Sequence, residues 1–310
     1  MKLNKNILLI KVVVFIMATL VILSCGTDNA ITNNTIVSEY NENVVSFVTW
    51  NLKEFPLDDL NTINELQYQI PLLNADLIAV QEITNTNDFQ QLGLMLNDYD
   101  VIASENYIYD PNDEDSYYNP ILGYIYHKDR LTINNAYEIF RQDSRLFPRE
   151  PYILDITWKN IDFIVINNHL KAGGDNEIDY WDDWDEEVRR LEALNQLHNY
   201  ILENFNDENV ILVGDFNDQF HEDVSTNVFT TFLDDDNFIF ADYDMSLNTS
   251  DFSYPNWPSH LDHIIINQNL FPSFGKPLST CYTIKYDKLI SNYFTTISDH
   301  RPLILKLDFE

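Results

Sequence analysis

The stretch Val210-Ile211-Leu212-Val213-Gly214-Asp215-Phe216-Asn217 delivers a carboxylate and a carboxamide just past an apolar run. Four consecutive apolar residues, bounded by Asn209 and Gly214, suit a strand covered on both faces. Two-residue alternation then sets Asp215 and Asn217 on one side and turns Phe216 back toward the core. A carboxylate beside a carboxamide at the end of a rigid strand can hold a water, a metal ion or a phosphate oxygen. The competing reading is an ordinary strand-to-turn exit, since Gly and Asp punctuate turns in all proteins. The arrangement recurs, however: Asn51, Gln81-Glu82, Asn168-His169, Asp262 and Asp299-His300 each stand at an end of an apolar run. Taken singly, each reads as a turn former or a cap.

Such residues need elements to hold them. Apolar runs predict strands over 44–50, 77–80, 99–103, 121–126, 136–140, 152–158, 161–166, 210–213, 261–266 and 303–309, with a tight Lys159-Asn160 turn joining two of them. Three- and four-residue spacing of Ile63, Leu66, Ile70 and Leu73 predicts a helix over 61–73. A shorter helix is expected near 88–96, and Leu191, Leu194, Leu197, Ile201 and Leu202 form the stripe of a long one over 188–205. Loops over 105–119, 173–184 and 248–258 carry Tyr117, Tyr118, Trp181, Trp184, Tyr254 and Trp257, which could stack on bases, enter a membrane interface or simply pack the loops.

The 310 residues, 45% of them hydrophobic and 14% aromatic, suffice for a well-filled core. The first residues do not belong to it. Lys2 and Lys5 precede an apolar stretch, broken at Lys11, whose part over 12–23 matches the hydrophobic region of a secretory signal and is short for a membrane span. Ile22-Leu23-Ser24-Cys25 resembles the lipobox of bacterial lipoproteins, in which the cysteine is acylated and becomes the new first residue; an ordinary cleaved signal is the alternative. A lipidated Cys25 leaves Cys281 as a lone thiol, which reads as a small core residue. The expected organisation is a signal peptide over 1–24, a flexible Asn- and Thr-rich tether over 25–43, and one domain over 44–310. The protein would be exported and lipid-anchored at the bacterial cell envelope, on the outer membrane or the cell surface.

Net charge is −32, and becomes −35 once residues 1–24, with three lysines and no acids, are removed. That balance excludes a broad nucleic-acid-binding face, although a locally positive or metal-loaded cleft could engage a short segment.

In order, Thr49-Trp50-Asn51, Gln81-Glu82, Asn168-His169-Leu170-Lys171, Gly214-Asp215-Phe216-Asn217, Leu261-Asp262-His263-Ile264 and Ser298-Asp299-His300-Arg301-Pro302 resemble the endonuclease/exonuclease/phosphatase superfamily across nearly the whole domain. The resemblance implies an α/β fold: a single-domain, four-layer α-β-β-α sandwich with two mostly antiparallel sheets and a site where strand ends converge. Arg149-Glu150-Pro151 looks like the matching segment of secreted deoxyribonucleases of the pancreatic type, and Lys53 stands where the exonuclease III branch usually carries an acid. Residues 120–123 offer no acid to support His169, and His260 replaces a more usual Arg, reading as a surface or structural histidine.

By this resemblance Asp262 holds and polarises His300, whose ring faces the scissile phosphate. Asp215 orients or deprotonates the attacking water, Asn217 and Asn168 donate to phosphate oxygens, and His169 is a phosphate ligand or general acid. Glu82, helped by Asn51 and Asp299, is the expected ligand set for Mg²⁺ or Mn²⁺, with Ca²⁺ as an alternative, because hard cations prefer oxygen donors. Arg149 and Lys171 are further phosphate contacts. The expected activity is metal-dependent phosphodiester hydrolysis, as an exported endonuclease on DNA or RNA. The alternatives are a phospholipid phosphodiesterase, a phosphatase of a small phosphate ester, or a binding protein that keeps the fold without the chemistry. Membrane contact would run through the Cys25 anchor, and nothing in the chain requires an obligate protein partner.

Overall fold

Strands that are apolar on both faces can be buried only in a sheet covered on both sides, and this chain builds two of them. The computed structural model describes residues 29–32, 35–38, 40–105 and 120–310. Its strands are β1 (Asn29–Thr32), β2 (Thr35–Ser38), β3 (Val44–Phe55), β4 (Leu77–Ile83), β5 (Tyr99–Ala103), β6 (Ile121–His127), β7 (Leu131–Glu138), β8 (Tyr152–Trp158), β9 (Ile161–His169), β10 (Val210–Asp215), β11 (Phe238–Phe240), β12 (Asp262–Asn267), β13 (Thr280–Thr283) and β14 (Leu303–Asp308). The longer helices are α1 (Asp59–Leu73), α2 (Thr86–Met95) and α3 (Glu186–Asn204).

One six-stranded sheet has the order β13-β14-β3-β4-β6-β5, the other β11-β12-β10-β9-β8-β7. Each contains one parallel pair, β3 with β4 and β9 with β10, among antiparallel neighbours. Alternate residues of each strand feed different apolar layers. Val45, Phe47, Leu77, Ala79, Leu303 and Leu305 meet Leu154, Val165, Ile211, Val213 and Ile264 between the sheets. The intervening Val48, Trp50, Ile78 and Val80 pack outward on Ile63, Leu66 and Ile70 of α1 and Phe89 and Leu92 of α2. On the opposite side Ile164, Ile166, Val210 and Leu212 meet Ala193, Leu194, Leu197 and Ile201 of α3. Three apolar layers between four layers of structure are the expected α-β-β-α sandwich.

The Cys281 side chain is buried between the sheets, as a small core residue should be. At 159–160 both turn residues have positive φ, 48° and 71°, which a two-residue hairpin turn demands. Two elements depart from expectation. The edge strand β7 starts at Leu131, because Thr132, Asn134 and Asn135 give its solvent side a polar run that hides the alternation. In the segment expected to be a tether, β1 and β2 pair as a short antiparallel hairpin. The signal over 1–24 and Cys25 lie outside the described residues, as do Tyr117 and Tyr118. No helix among the described residues is long and apolar enough to cross a membrane.

Candidate active site

The site is where the inter-sheet rows run out of apolar residues. Following Val45 and Phe47 along β3, the same face reaches Asn51; after Phe163 and Val165 on β9 it reaches His169; after Ile211 and Val213 on β10 it reaches Asp215; and before Ile264 on β12 it holds Asp262. Register sets them side by side, with Asp215 opposite His169 on one flank and Asp262 on the other. Glu82 is an exception. Alternation along β4 would send it outward, but the strand is irregular between Val80 and Ile83, and Glu82 has a left-handed φ of 63°. Such a backbone costs on the order of 1–2 kcal/mol for a residue with a Cβ, and here it accompanies delivery of the carboxylate to Asn51.

Asp215 Oδ2 is the hub. It accepts from Asn51 Nδ2 at 2.9 Å and lies 3.6 Å from His169 Nε2 and 3.7 Å from His300 Nε2. Asn51 Nδ2 also donates to Glu82 Oε1 at 2.9 Å, and the Glu54 amide donates to Glu82 Oε2 at 2.9 Å. Asp262 Oδ2 faces His300 Nδ1 at 2.7 Å. Ser298 Oγ bridges the Asn51 carbonyl and the His300 amide, the Tyr293 hydroxyl donates to the His300 carbonyl, and the Tyr254 ring lies 4.8 Å from the imidazole.

Burial would strip the proton from His300, but Asp262 and Asp215 outweigh it and hold the ring as an imidazolium. His169 goes the other way: burial first, then Arg149 and His300, push it well below the ordinary range, so it is neutral. Burial raises Asp215 against the pull of His300 and Asn51. Two histidines of opposite protonation thus flank one carboxylate. Among the described residues His169 Nδ1 has no hydrogen-bond partner, in keeping with the missing acid at 120–123.

The other expected site residues divide. Arg149 is near enough for its charge to act on His169. Asp299 is engaged by Lys53, whose Nζ donates to Oδ2 at 2.5 Å. Lys171 is half-buried, and its carbonyl accepts from Arg190 Nη1. Asn217 does not continue the strand alternation: its φ is 55°, its amide donates to Asp215 Oδ1, and Nδ2 donates to the Leu170 carbonyl. Asn168, expected as a phosphate donor, faces away from the site. It belongs to the outward row of Ile164 and Ile166, is fully buried, and spends Nδ2 on the Val213 carbonyl. Beside it, Gly214 at φ 145° is required, because a Cβ there would come within 2.0 Å of the Asn168 carbonyl oxygen.

Sequence patterning missed the support beneath the site. Asn167 Oδ1 accepts from Gln81 Nε2 at 2.7 Å, Asn167 Nδ2 donates to the Val80 and Gly123 carbonyls, and the Tyr124 hydroxyl donates to the Tyr152 carbonyl. These bonds tie the two sheets together under His169. Polar residues at two-residue spacing from site residues, such as Asn167, were the available signal.

A second polar cluster lies behind the site. His260 is buried, not at the surface, and with His263 it flanks Asp242, whose Oδ2 is 2.9 Å from His260 Nε2 and 2.7 Å from His263 Nδ1. His263 Nε2 faces the Asp218 carbonyl at 2.9 Å. A carbonyl only accepts, so both His263 nitrogens donate and the ring is an imidazolium paired with Asp242. His260 Nδ1 accepts from the Ser253 amide, which leaves Nε2 to carry its proton. A metal on Nε2 would require that proton on Nδ1, facing another donor, so this cluster is a structural ion pair.

The hard-cation donors fit the catalytic site better. Glu82 is half-buried while Asp215 and Asp262 are fully buried, and Glu82, His169 and Asp215 present atoms within 4.8 Å of one another. The half-buried Glu82 carboxylate, beside Asp215, suits a divalent cation that keeps several waters, while Asn51 turns Nδ2 to both acids and gives Oδ1 to the Lys53 amide, so that it steadies the donors.

The Endonuclease/Exonuclease/phosphatase family model matches residues 48–300. The chain belongs to that family. Its members are phosphodiesterase and nuclease hydrolases. No curated protein matches this member in sequence. Solved structures share its fold at low identity. D. rerio TDP2 complexed with single strand DNA product has a TM-score of 0.60 at 15% identity, over 86% of this chain and 99% of that one. An endonuclease/exonuclease/phosphatase from Bacteroides vulgatus has a TM-score of 0.60 at 16% identity, over 86% and 99%. The human Nocturnin catalytic domain with bound sulfate anion has a TM-score of 0.56 at 18% identity, over 88% and 97%.

Proposed function

We propose that this family member is a divalent-metal-dependent phosphodiesterase that cuts DNA or RNA, exported and anchored through Cys25. The observation that carries the chemistry is the Asp215 carboxylate held between a neutral and a protonated histidine. A buried carboxylate aims and deprotonates the attacking water. The His300 imidazolium, fixed by Asp262, stabilises charge on the phosphoryl oxygens. Neutral His169 and the Arg149 guanidinium form the opposite wall. Glu82, steadied by Asn51 Nδ2, would hold Mg²⁺ or Mn²⁺, which when bound neutralises phosphate charge and polarises the phosphorus centre. The solved TDP2 with a DNA product supports the nucleic-acid reading.

A phospholipid diesterase is the second reading, favoured by Trp181 and Trp257, 97% and 78% exposed on the loops after β9 and before β12. Assaying the purified protein against plasmid DNA, RNA, sphingomyelin and inositol phosphates, with and without Mg²⁺, separates the two. Nuclease activity that requires the metal is expected, and turnover of lipid alone would transfer the assignment.

Charge gives a finer test. Salt weakens a protein held to DNA by a basic face, because neutralised phosphates release counterions, but salt also screens the repulsion of a chain with net charge −32. At saturating Mg²⁺ the KM for long duplex DNA therefore stays level or falls as NaCl rises from low to moderate concentration, and a dinucleotide diester responds less. A steep rise in KM for the duplex would reveal a basic track and defeat this account.

Export has its own test. Cys25→Ser abolishes acylation and leaves the chain uncleaved or released, with unchanged specific activity. Mass spectrometry that finds unmodified Cys25 on soluble wild-type protein would remove the anchor.

A further inference from the structure

We propose that the Lys53 ammonium takes the place of a second divalent cation at this site. One metal ion on Glu82, steadied by Asn51, then suffices, and Lys53 is the other positive contact for the substrate phosphate. The inference rests on the metal-dependent reading above.

The turn that carries Lys53 is built for the purpose. β3 is irregular between Asn51 and Phe55, and Lys53 and Glu54 both have left-handed φ, 41° and 47°. Neither is glycine, so each costs on the order of 1–2 kcal/mol. What the strain achieves is visible in the hydrogen bonds. The Lys53 amide donates to Asn51 Oδ1 at 2.8 Å, which aims Asn51 Nδ2 at Glu82 and Asp215, and the Glu54 amide donates to Glu82 Oε2 at 2.9 Å, so the turn fixes the expected metal ligand Glu82 and the amide that steadies it. The same turn sends the Lys53 side chain to Asp299, the neighbour of His300.

Charge balance points the same way. Four carboxylates lie at the site: Glu82, Asp215, Asp262 and Asp299. Asp262 is matched by His300 and Asp299 by Lys53, each through a direct contact. Among the described residues Glu82 and Asp215 have no cation of their own paired to them directly, and with the Arg149 charge close by on the His169 wall a single divalent ion is enough to match what remains. Asp299, the carboxylate beside His300, is engaged by Lys53 and so is not free to hold a second ion. Lys53 is also 38% exposed, so its ammonium can reach a phosphate oxygen without unfolding the turn. A compact ammonium on a flexible stem suits that role.

Titrating the purified full-length chain with Mn²⁺ alone by calorimetry gives the stoichiometry. One ion is expected for the native protein and for Lys53→Arg, and two for Lys53→Gln, in which Asp299 is released. The Gln variant keeps the backbone bond to Asn51 and should fold, because the replaced side chain is partly exposed. Two ions in the native protein, or one in Lys53→Gln at any affinity, would overturn the proposal. No Mn²⁺ binding in any of the three would overturn the metal-dependent reading and this inference with it. With one ion loaded, inorganic phosphate should bind Lys53→Gln about tenfold more weakly than the native protein, the loss of one charge-assisted hydrogen bond. Lys53→Arg should restore most of it. Equal phosphate affinity in all three proteins would remove the phosphate contact.

Discussion

Asp215→Asn lowers kcat by about a thousandfold, within the range a positioned general base contributes, while the thermal midpoint falls by only a few degrees. The reason lies in the hydrogen bonds that converge on this side chain. Asn51 Nδ2 donates to one oxygen and the Asn217 amide to the other. A carboxamide offers a single acceptor, so one donor then meets an NH₂ group, which costs about 1–3 kcal/mol. Burial has already raised the native carboxyl, however, and the neutral substitute escapes that desolvation. The two effects largely cancel in stability. They do not cancel in chemistry, because the charge that aims the water is gone and the His300 imidazolium loses one of its two facing carboxylates. Turnover within tenfold of the native protein would remove Asp215 from the base role, and single-turnover measurement at saturating metal is the cleanest readout.

What the sequence made legible follows from period. Strands whose residues feed two apolar layers, such as Val210–Asp215, stand out as continuous apolar runs, and α1 and α3 stand out by their stripes. Asn51, His169, Asp215 and Asp262 could be anticipated because each continues a two-residue row. The departures from expectation have two sources, a backbone that breaks that row and the alternation itself. Asn217 was expected beside Asp215 by alternation, yet a left-handed φ turns it toward the Leu170 carbonyl. Asn168 stands next to His169 in sequence, and for that very reason faces the opposite way. Lys53 could be noticed as an unusual residue type, but its pairing with Asp299 spans 246 positions and depends on the bulge in β3, which no local pattern encodes. His260 read as a surface or structural histidine, and the structural alternative holds, through Asp242, 18 residues earlier, at which nothing near it in sequence hinted.

That buried cluster supports the second large effect. His263→Leu removes one partner of a fully buried ion pair, and leaving the other charge unmatched costs about 3–5 kcal/mol. His260→Gln should be mild, because an amide can still donate to Asp242. The pH dependence fixes the sign. Asp242 and its hydrogen bonds raise His263 above its ordinary value of 6.5, despite burial. Its contribution is therefore complete below about pH 6.5 and is lost as pH climbs through the raised folded value. The Asp242 carboxyl is held below its ordinary 3.8, where the two histidines outweigh burial, so its contribution is present above about pH 4 and lost as pH falls through the lowered value. The stability difference between native protein and His263→Leu is thus greatest between about pH 4 and pH 6.5 and shrinks on either side. Because His263 Nε2 also holds the Asp218 carbonyl, and Asp218 follows Asn217 in the turn after Asp215, the variant should lose turnover as well as stability. Urea unfolding at about pH 5 and about pH 9 decides it. A difference that is the same at both would mean that His263 is neutral and the carbonyl contact misassigned, whereas a difference that narrows at the higher pH identifies the buried imidazolium that braces the catalytic turn.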